Sequence, residues 1–221
     1  MLSKKHKVIF LMPPKTASQA LTEVLLDSSI VFDKIQRKPK IHLTLSELVD
    51  EFKVSEKELS SYKIVQVVRD PYERYISSFL HQMRLIPASA PNMKIRGMDI
   101  DIFSEHLVKS LMKPNFLKNF YGNTNFIKKN LEAGKNWSGA RAFMAQADWN
   151  DLGAEIKHFK LEDIKDSMES ISDYLGIYLP DMAQKNVSIT EKSPDMYSQF
   201  VYDTVTYLYR IDFETFGYDL R

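Results

Sequence analysis

"KVIFLMPPKTASQALTEVLLDS", Lys7–Ser28, is the stretch on which the fold turns. Val8-Ile9-Phe10-Leu11-Met12 is an unbroken apolar run, the pattern of a strand buried on both faces of a parallel sheet. From Ser18 to Leu26 the apolar residues fall at Ala20, Leu21, Val24 and Leu25, the spacing of a helix that buries one face. Pro13-Pro14-Lys15-Thr16-Ala17 joins the two. A loop between a parallel strand and a helix lies at the carboxyl edge of the sheet, where open α/β folds bind ligands. The first N–H groups of the helix lack intrahelical partners and carry partial positive charge, so this place favours a phosphate or sulfate. Lys15 adds a full charge, and Thr16, Ser18 and Gln19 add side-chain donors. The glycines of the Walker pattern G-x-x-x-x-G-K-[ST] are missing, since no Gly precedes Lys15 anywhere in the chain. Read alone, the loop is equally a Pro-Pro turn with a solvated lysine and a helix capped by Thr16 or Ser18.

"IVQVVRDPYERYISSF", Ile64–Phe79, repeats the logic. Ile64 to Val68 is a second strand rich in β-branched residues. It ends at Arg69-Asp70-Pro71, and Pro71 suits the first turn of a helix running from Tyr72 to Leu85. Arg69 leaves a strand end, and its planar fork can donate two hydrogen bonds to one phosphate. Ser77 lies eight residues further on. The plain alternative is an Arg69–Asp70 surface pair with Arg74 solvated.

The remaining pattern continues the alternation of strand and helix. Ile30–Phe32 and Lys40–Leu43 are short extended candidates, and Thr44-Leu45-Ser46-Glu47 is a capping box opening a helix through Phe52. Ser55–Ser60, Ile102–Met112 and Trp137–Ala147 read as helices, and Pro87–Gly97 as a surface loop. Ile156–Phe159 is a short strand followed by a helix to Leu175-Gly176, and Pro194–Phe213 is an aromatic helical ending. Such alternation predicts an α/β fold with a mainly parallel sheet.

Composition narrows the function. The 221 residues and 25.7 kDa suit one domain. With net charge +1 and pI near 7.8, no global field attracts nucleic acid or an anionic membrane, so any anion site is local. Absence of cysteine excludes a disulfide framework, a thiolate metal site and a Cys nucleophile, and fits a reducing cytoplasm. The run Val8–Met12 is too short for a signal segment or a membrane span. His6, His42, His81, His106 and His158 show no ligand spacing, so no metal is expected.

"PKTAS" after one strand combined with "RDPYERYISSF" after another resembles the sulfotransferase family that uses 3′-phosphoadenosine 5′-phosphosulfate (PAPS). The resemblance implies a P-loop-NTPase-like three-layer α/β fold, with a central mainly parallel sheet flanked by helices, in one domain over residues 1–221. It assigns Lys15, Thr16, Ala17, Ser18 and Gln19 to the 5′-phosphosulfate of the donor. Arg69 and Ser77 go to its 3′-phosphate, and the desulfated nucleotide PAP is the product. The family usually has Gly where Ala17 stands and Ser or Thr where Gln19 stands; Ala17 is accommodated if its φ is negative. "FKLEDIKDSMESISDYLGI" is similar to a structural segment of the family, and "YLYRIDFETFGY" looks like the ending of carbohydrate-type members. Tyr207, Tyr209, Phe213 and Phe216 then belong to the core, and Lys192 is more simply solvated than donor-bound.

Sulfuryl transfer to a hydroxyl requires a base for the acceptor proton and cations where leaving-group charge develops. His42, in "KPKIHLTLSEL", resembles the Lys-x-His strand end that carries the base in many sulfotransferases, with Lys40 as its lysine. His81, four residues after Ser77, is the second candidate, and some members use Glu. The expected acceptor is a small molecule or glycan bearing a hydroxyl, with a carbohydrate favoured. Its pocket is expected from Pro87–Asp99, which carries Lys94 and Arg96, and from Asn115–Lys135. Two other classes stay open: a nucleotide-binding member without transferase activity, and a small-molecule kinase. The missing Walker glycines and the lack of a convincing Mg²⁺-binding Asp at a strand end argue against the kinase.

Overall fold

The computed structural model describes residues 1–34, 42–85, 99–111, 141–182 and 194–221. They fall into two compact units, Met1–Asp70 with Met144–Ile189 and Pro71–Phe143 with Thr190–Arg221.

The first unit holds a four-stranded sheet in the order β1 (Leu2–Ser3), β2 (Val8–Leu11), β3 (Lys63–Val68), β4 (Lys157–Lys160). β2, β3 and β4 are parallel, with Phe10 beside Val65 and Val67 beside Phe159, while β1 folds back antiparallel onto β2. Parallel neighbours need crossovers, and helices supply them. Alternation sorts the strand side chains between two layers. Val8, Phe10, Val65, Val67 and Phe159 pack with α1 (Ser18–Asp27) and α6 (Ile164–Leu175) through Leu21, Leu25, Met168 and Ile171. Ile9, Leu11 and Ile64 pack on the opposite face with Leu45, Leu48 and Phe52 of α2 (Leu45–Phe52) and Leu59 of α3 (Glu56–Leu59). This is a three-layer α/β arrangement with a central, mostly parallel sheet flanked by helices; the alternation predicts the mainly parallel sheet and the family resemblance the three layers. Because β2 is covered on both faces, its residues are wholly buried, which is why the run carries no polar residue.

Two helix starts follow their sequence signals closely. Thr44 accepts from the Glu47 N–H while Glu47 reaches back to the Thr44 N–H at 2.9 Å, completing the box. Ser55 and Glu58 repeat the device on α3. At the other end of a helix, Gly176 takes φ 70 and its N–H bonds the Ser172 carbonyl at 2.8 Å, terminating α6.

The second unit contains α4 (Pro71–Leu85), α5 (Ile100–Leu111), α7 (Gln199–Leu208) and α8 (Arg210–Phe216). Its interior is aromatic: the Tyr72 ring lies 5.0 Å from Tyr202 and from Phe213, and Phe79 lies 5.2 Å from Phe103. Such pairs add to the burial of apolar area. Arg74 is 1% exposed; its Nη2 donates to the Ala142 carbonyl and its guanidinium lies over the Tyr209 ring.

Several expectations change. Arg74 is buried and not solvated. Tyr209, Phe213 and Phe216 are core residues, but Tyr207 is exposed. Ile30–Phe32 forms no strand; it is tied to β1 by the Ser3 hydroxyl on the Val31 carbonyl and by Asp33 N–H on the Leu2 carbonyl. The segment from Ala142 to Gln146 is turn and coil, followed by a 3₁₀ turn at Ala147–Trp149, where a helix was expected. The aromatic ending is two helices broken at Tyr209. Lys40, Lys94, Arg96, Lys192, the loop Pro87–Gly97 and the segment Asn115–Lys135 lie outside the described residues.

Candidate functional site

The carboxyl end of β2 runs through Met12 into the loop that starts α1. Ala17 is the residue before the helix and adopts φ 56, ψ 29, the left-handed region. The negative φ that would accommodate Ala17 without strain is therefore not met. An L-residue there meets a steric penalty that Gly escapes. Alanine has no side-chain oxygen, so neither Thr16 nor Ser18 acts as the expected cap, and Ala17 gives the first-turn N–H groups no side-chain partner. Thr16 is 1% exposed and its hydroxyl donates to the Pro13 carbonyl at 2.8 Å, locking the turn. Lys15 also has positive φ, 71. Ser18 is buried, Lys15 is partly exposed and Gln19 is exposed.

β3 ends beside β2, so Arg69 emerges next to this loop. Its Nη1 donates to the Lys15 carbonyl at 3.3 Å. The first unit therefore brings together Lys15 and Arg69, which are separated by 54 positions in the chain. The Asp70 N–H donates to Glu162 at 2.9 Å, so the strand end is fixed on its far side as well. Ser77, the partner expected for Arg69, is on α4 in the second unit and is 4% exposed.

His42 also sits on the loop. Its Nδ1 is 2.6 Å from the Met12 carbonyl oxygen, and its ring meets Trp149 edge-on with centroids 6.4 Å apart. A carbonyl only accepts, so Nδ1 carries the proton and, in the neutral ring, Nε2 carries the lone pair. That tautomer is the one a general base requires at Nε2. His42 holds φ 62 and is half-buried, immediately before the capped α2. Of the five non-glycine residues with positive φ among the described residues, Lys15, Ala17 and His42 belong to this site. Backbone strain of this kind concentrates where surrounding structure over-determines a conformation. His81 stands one turn after Ser77 on α4, in the second unit. Lys40, the third expected catalytic residue, lies outside the described residues.

Gln146 and Trp149 carry no sequence signal for the places they take beside this loop. Gln146 is wholly buried, and its side-chain amide accepts from the Arg69 N–H and donates to the Arg69 carbonyl, both at 2.8 Å. No motif marks it, because a glutamine in "MAQADWN" is ordinary composition. Trp149 is fully buried against Ile9, Leu11 and Leu45 and closes one side of His42. Among the described residues, no group of three or more His, Cys, Asp or Glu side chains is placed to hold a metal ion. No described helix is long and apolar enough to cross a membrane.

The loop's geometry suits an oxyanion: a left-handed turn into a helix start, Lys15 within it and the Arg69 guanidinium at its side. The model of the sulfotransferase family matches residues 1–219. A crystal structure of a sulfotransferase from Alicyclobacillus acidocaldarius is similar over 97% of this chain and 96% of that one. It is 13% identical with a TM-score of 0.45, a likeness too low to carry an argument about residues. No curated protein matches the chain. With the family model matching nearly the whole length, the chain belongs to the sulfotransferase family.

Proposed function

We propose that this protein moves the sulfuryl group of PAPS to an acceptor hydroxyl, on a carbohydrate, and that residues 1–221 act as one catalytic domain. The observation that carries the reading is the convergence of Lys15, Arg69 and His42 on a single strained loop at the ends of β2 and β3. When bound, the donor supplies the sulfuryl group and a 5′-phosphate leaving group. The start of α1 and Lys15, with Thr16, Ala17, Ser18 and Gln19 around them, hold the 5′ end, while Arg69 holds the 3′-phosphate.

His42 Nε2 takes the proton from the acceptor hydroxyl as the new S–O bond forms, and the Met12 carbonyl stabilises the imidazolium through Nδ1–H. The S–O bond to the 5′-phosphate breaks, its electron pair stays on the phosphate oxygen, and the Lys15 ammonium offsets the charge that appears there. The family resemblance gives Lys40 the sulfuryl oxygens. The chain needs no redox partner for this exchange, because one S–O bond replaces another.

Calorimetry with PAP against ATP–Mg²⁺, followed by transfer from labelled PAPS to a panel of glycans, small alcohols and tyrosine peptides, tests the proposal. Binding of PAP alone and label on a glycan are expected. Binding of ATP–Mg²⁺ in preference to PAP would overturn it. Binding of PAP with no transfer to any acceptor would instead leave a nucleotide-binding member whose Ala17 and Gln19 differ from the family's usual residues.

A further inference from the structure

We infer that Gln146 is a positioning residue for the 3′-phosphate: it fixes the backbone of Arg69 so that the guanidinium fork is aimed beside the loop. The inference rests on the assignment of Arg69 to that phosphate. Gln146 acts as a missing strand residue. In an antiparallel ladder one residue exchanges two bonds with its partner, N–H to O and O to H–N. The Gln146 side-chain amide makes the same pair with Arg69, at 2.8 Å on each side, one residue beyond the last ladder position of β3. Gln146 is itself fixed, since its backbone carbonyl accepts from Gln66 Nε2 at 2.8 Å and its side chain is 0% exposed.

The clamp matters because Arg69 is where the chain leaves the sheet. Without it, the Arg69 N–H and C=O lose their partners at a half-buried strand end and must turn to find others. A guanidinium is specific only while its fork is held in plane, so rotation of the backbone converts a two-point contact into a diffuse charge. A side chain that merely filled volume would need no amide, and leucine would serve.

The test compares the native protein with Gln146→Leu and Gln146→Glu by calorimetry with PAP and 5′-AMP, which lacks the 3′-phosphate. The native protein is expected to prefer PAP. Gln146→Leu is expected to reduce that preference at least about tenfold, the scale of one lost hydrogen bond to a charged group, with 5′-AMP affinity within twofold of native. Gln146→Glu keeps the shape but, ionised, loses the donor to the Arg69 carbonyl. Its PAP preference, taken relative to native at each pH, is expected to recover as the pH is lowered and the carboxyl regains a proton. Lowered melting temperature with the native preference retained in both variants would show Gln146 to be packing alone, and would overturn the inference. A native protein with no preference for PAP over 5′-AMP would overturn the Arg69 assignment itself, and the inference with it.

Discussion

Replacing Ala17 by glycine should make this protein more stable, the reverse of what the substitution does in a helix interior. Ala17 holds φ 56, ψ 29 as the residue preceding α1. An L-residue in that region carries roughly 1–2 kcal/mol of steric cost, all of which glycine removes. Against this, glycine frees the unfolded chain by about 0.4–1 kcal/mol. The difference is a gain of roughly 0.5–1 kcal/mol, in line with the preference for Gly over Ala at this capping position. For a chain of this length that corresponds to a rise of about 1–4 °C in Tm. Urea unfolding of native, Ala17→Gly, Ala17→Asn and Ala17→Val should rank Gly and Asn above Ala, and Val well below, since β-branching penalises left-handed backbone. A midpoint lowered by Ala17→Gly would mean that residue 17 has negative φ in solution, and the whole geometry assigned to the loop would fall with it.

Four further outcomes follow from the same contacts. His42→Ala should lower kcat by about 10²–10⁴-fold, the usual contribution of a general base, with PAP affinity within about twofold; near-native turnover would hand the role to His81 or a carboxylate. Lys15→Ala should weaken both PAP and 5′-AMP in calorimetry, whereas Arg69→Ala should weaken PAP alone by about tenfold or more; equal losses for both variants on both ligands would contradict the division of labour. Thr44→Ala opens the capping box of α2 and should cost about 1 kcal/mol in urea unfolding, with kcat falling too because His42 stands two residues earlier. Burial holds the pKa of His158 below its usual value. The unfolded chain then takes up that proton first, so this contribution to stability is whole above about pH 6.5. It is lost as pH falls from there toward the folded pKa. His158→Gln should flatten the native decline in urea midpoint between neutral and mildly acid pH, and an unchanged slope would refute the assignment.

What the sequence disclosed and what it hid divide along a physical line. Val8–Leu11, Lys63–Val68 and the capping boxes at Thr44 and Ser55 were readable because local pattern and tertiary burial agree there. Lys15 and Arg69 were readable as residue types following strands, and the fold brings them together at one loop; His42 was expected to close a short extended segment, but residues 42–43 form no strand and His42 takes φ 62. The two-residue β1 was not readable, since Leu2–Ser3 has no period to detect and is defined by its pairing with Val8 and Ile9. Gln146 escaped for a related reason: its contact with Arg69 spans 77 positions, and nothing local announces it. The positive φ of Ala17 was not readable either, because the backbone around the residue decides it against alanine's own preference. Tyr207 was assigned to the core by its aromatic neighbours, although α7 turns that face outward.

The manner in which the loop's carbonyls are occupied ties these residues into one device. A loop that holds an anion through its N–H groups also presents C=O groups, whose oxygens repel the same anion wherever they are left uncovered. Here the Met12 carbonyl is taken by His42 Nδ1, the Pro13 carbonyl by the Thr16 hydroxyl and the Lys15 carbonyl by Arg69 Nη1. Each side chain thus does two things at once. It quiets an oxygen of the loop, and it is itself oriented by that oxygen. The coupling runs both ways: a change in loop conformation at Ala17 moves the acceptors that hold His42 and Arg69. For that reason Ala17→Val should depress turnover and PAP affinity beyond the loss expected from stability alone, even though residue 17 offers no functional group. Measuring kcat and the PAP dissociation constant well below the variant's melting temperature separates the two. If both stay native while the urea midpoint drops, the three carbonyl contacts are structural fastenings and the loop does not set the chemistry.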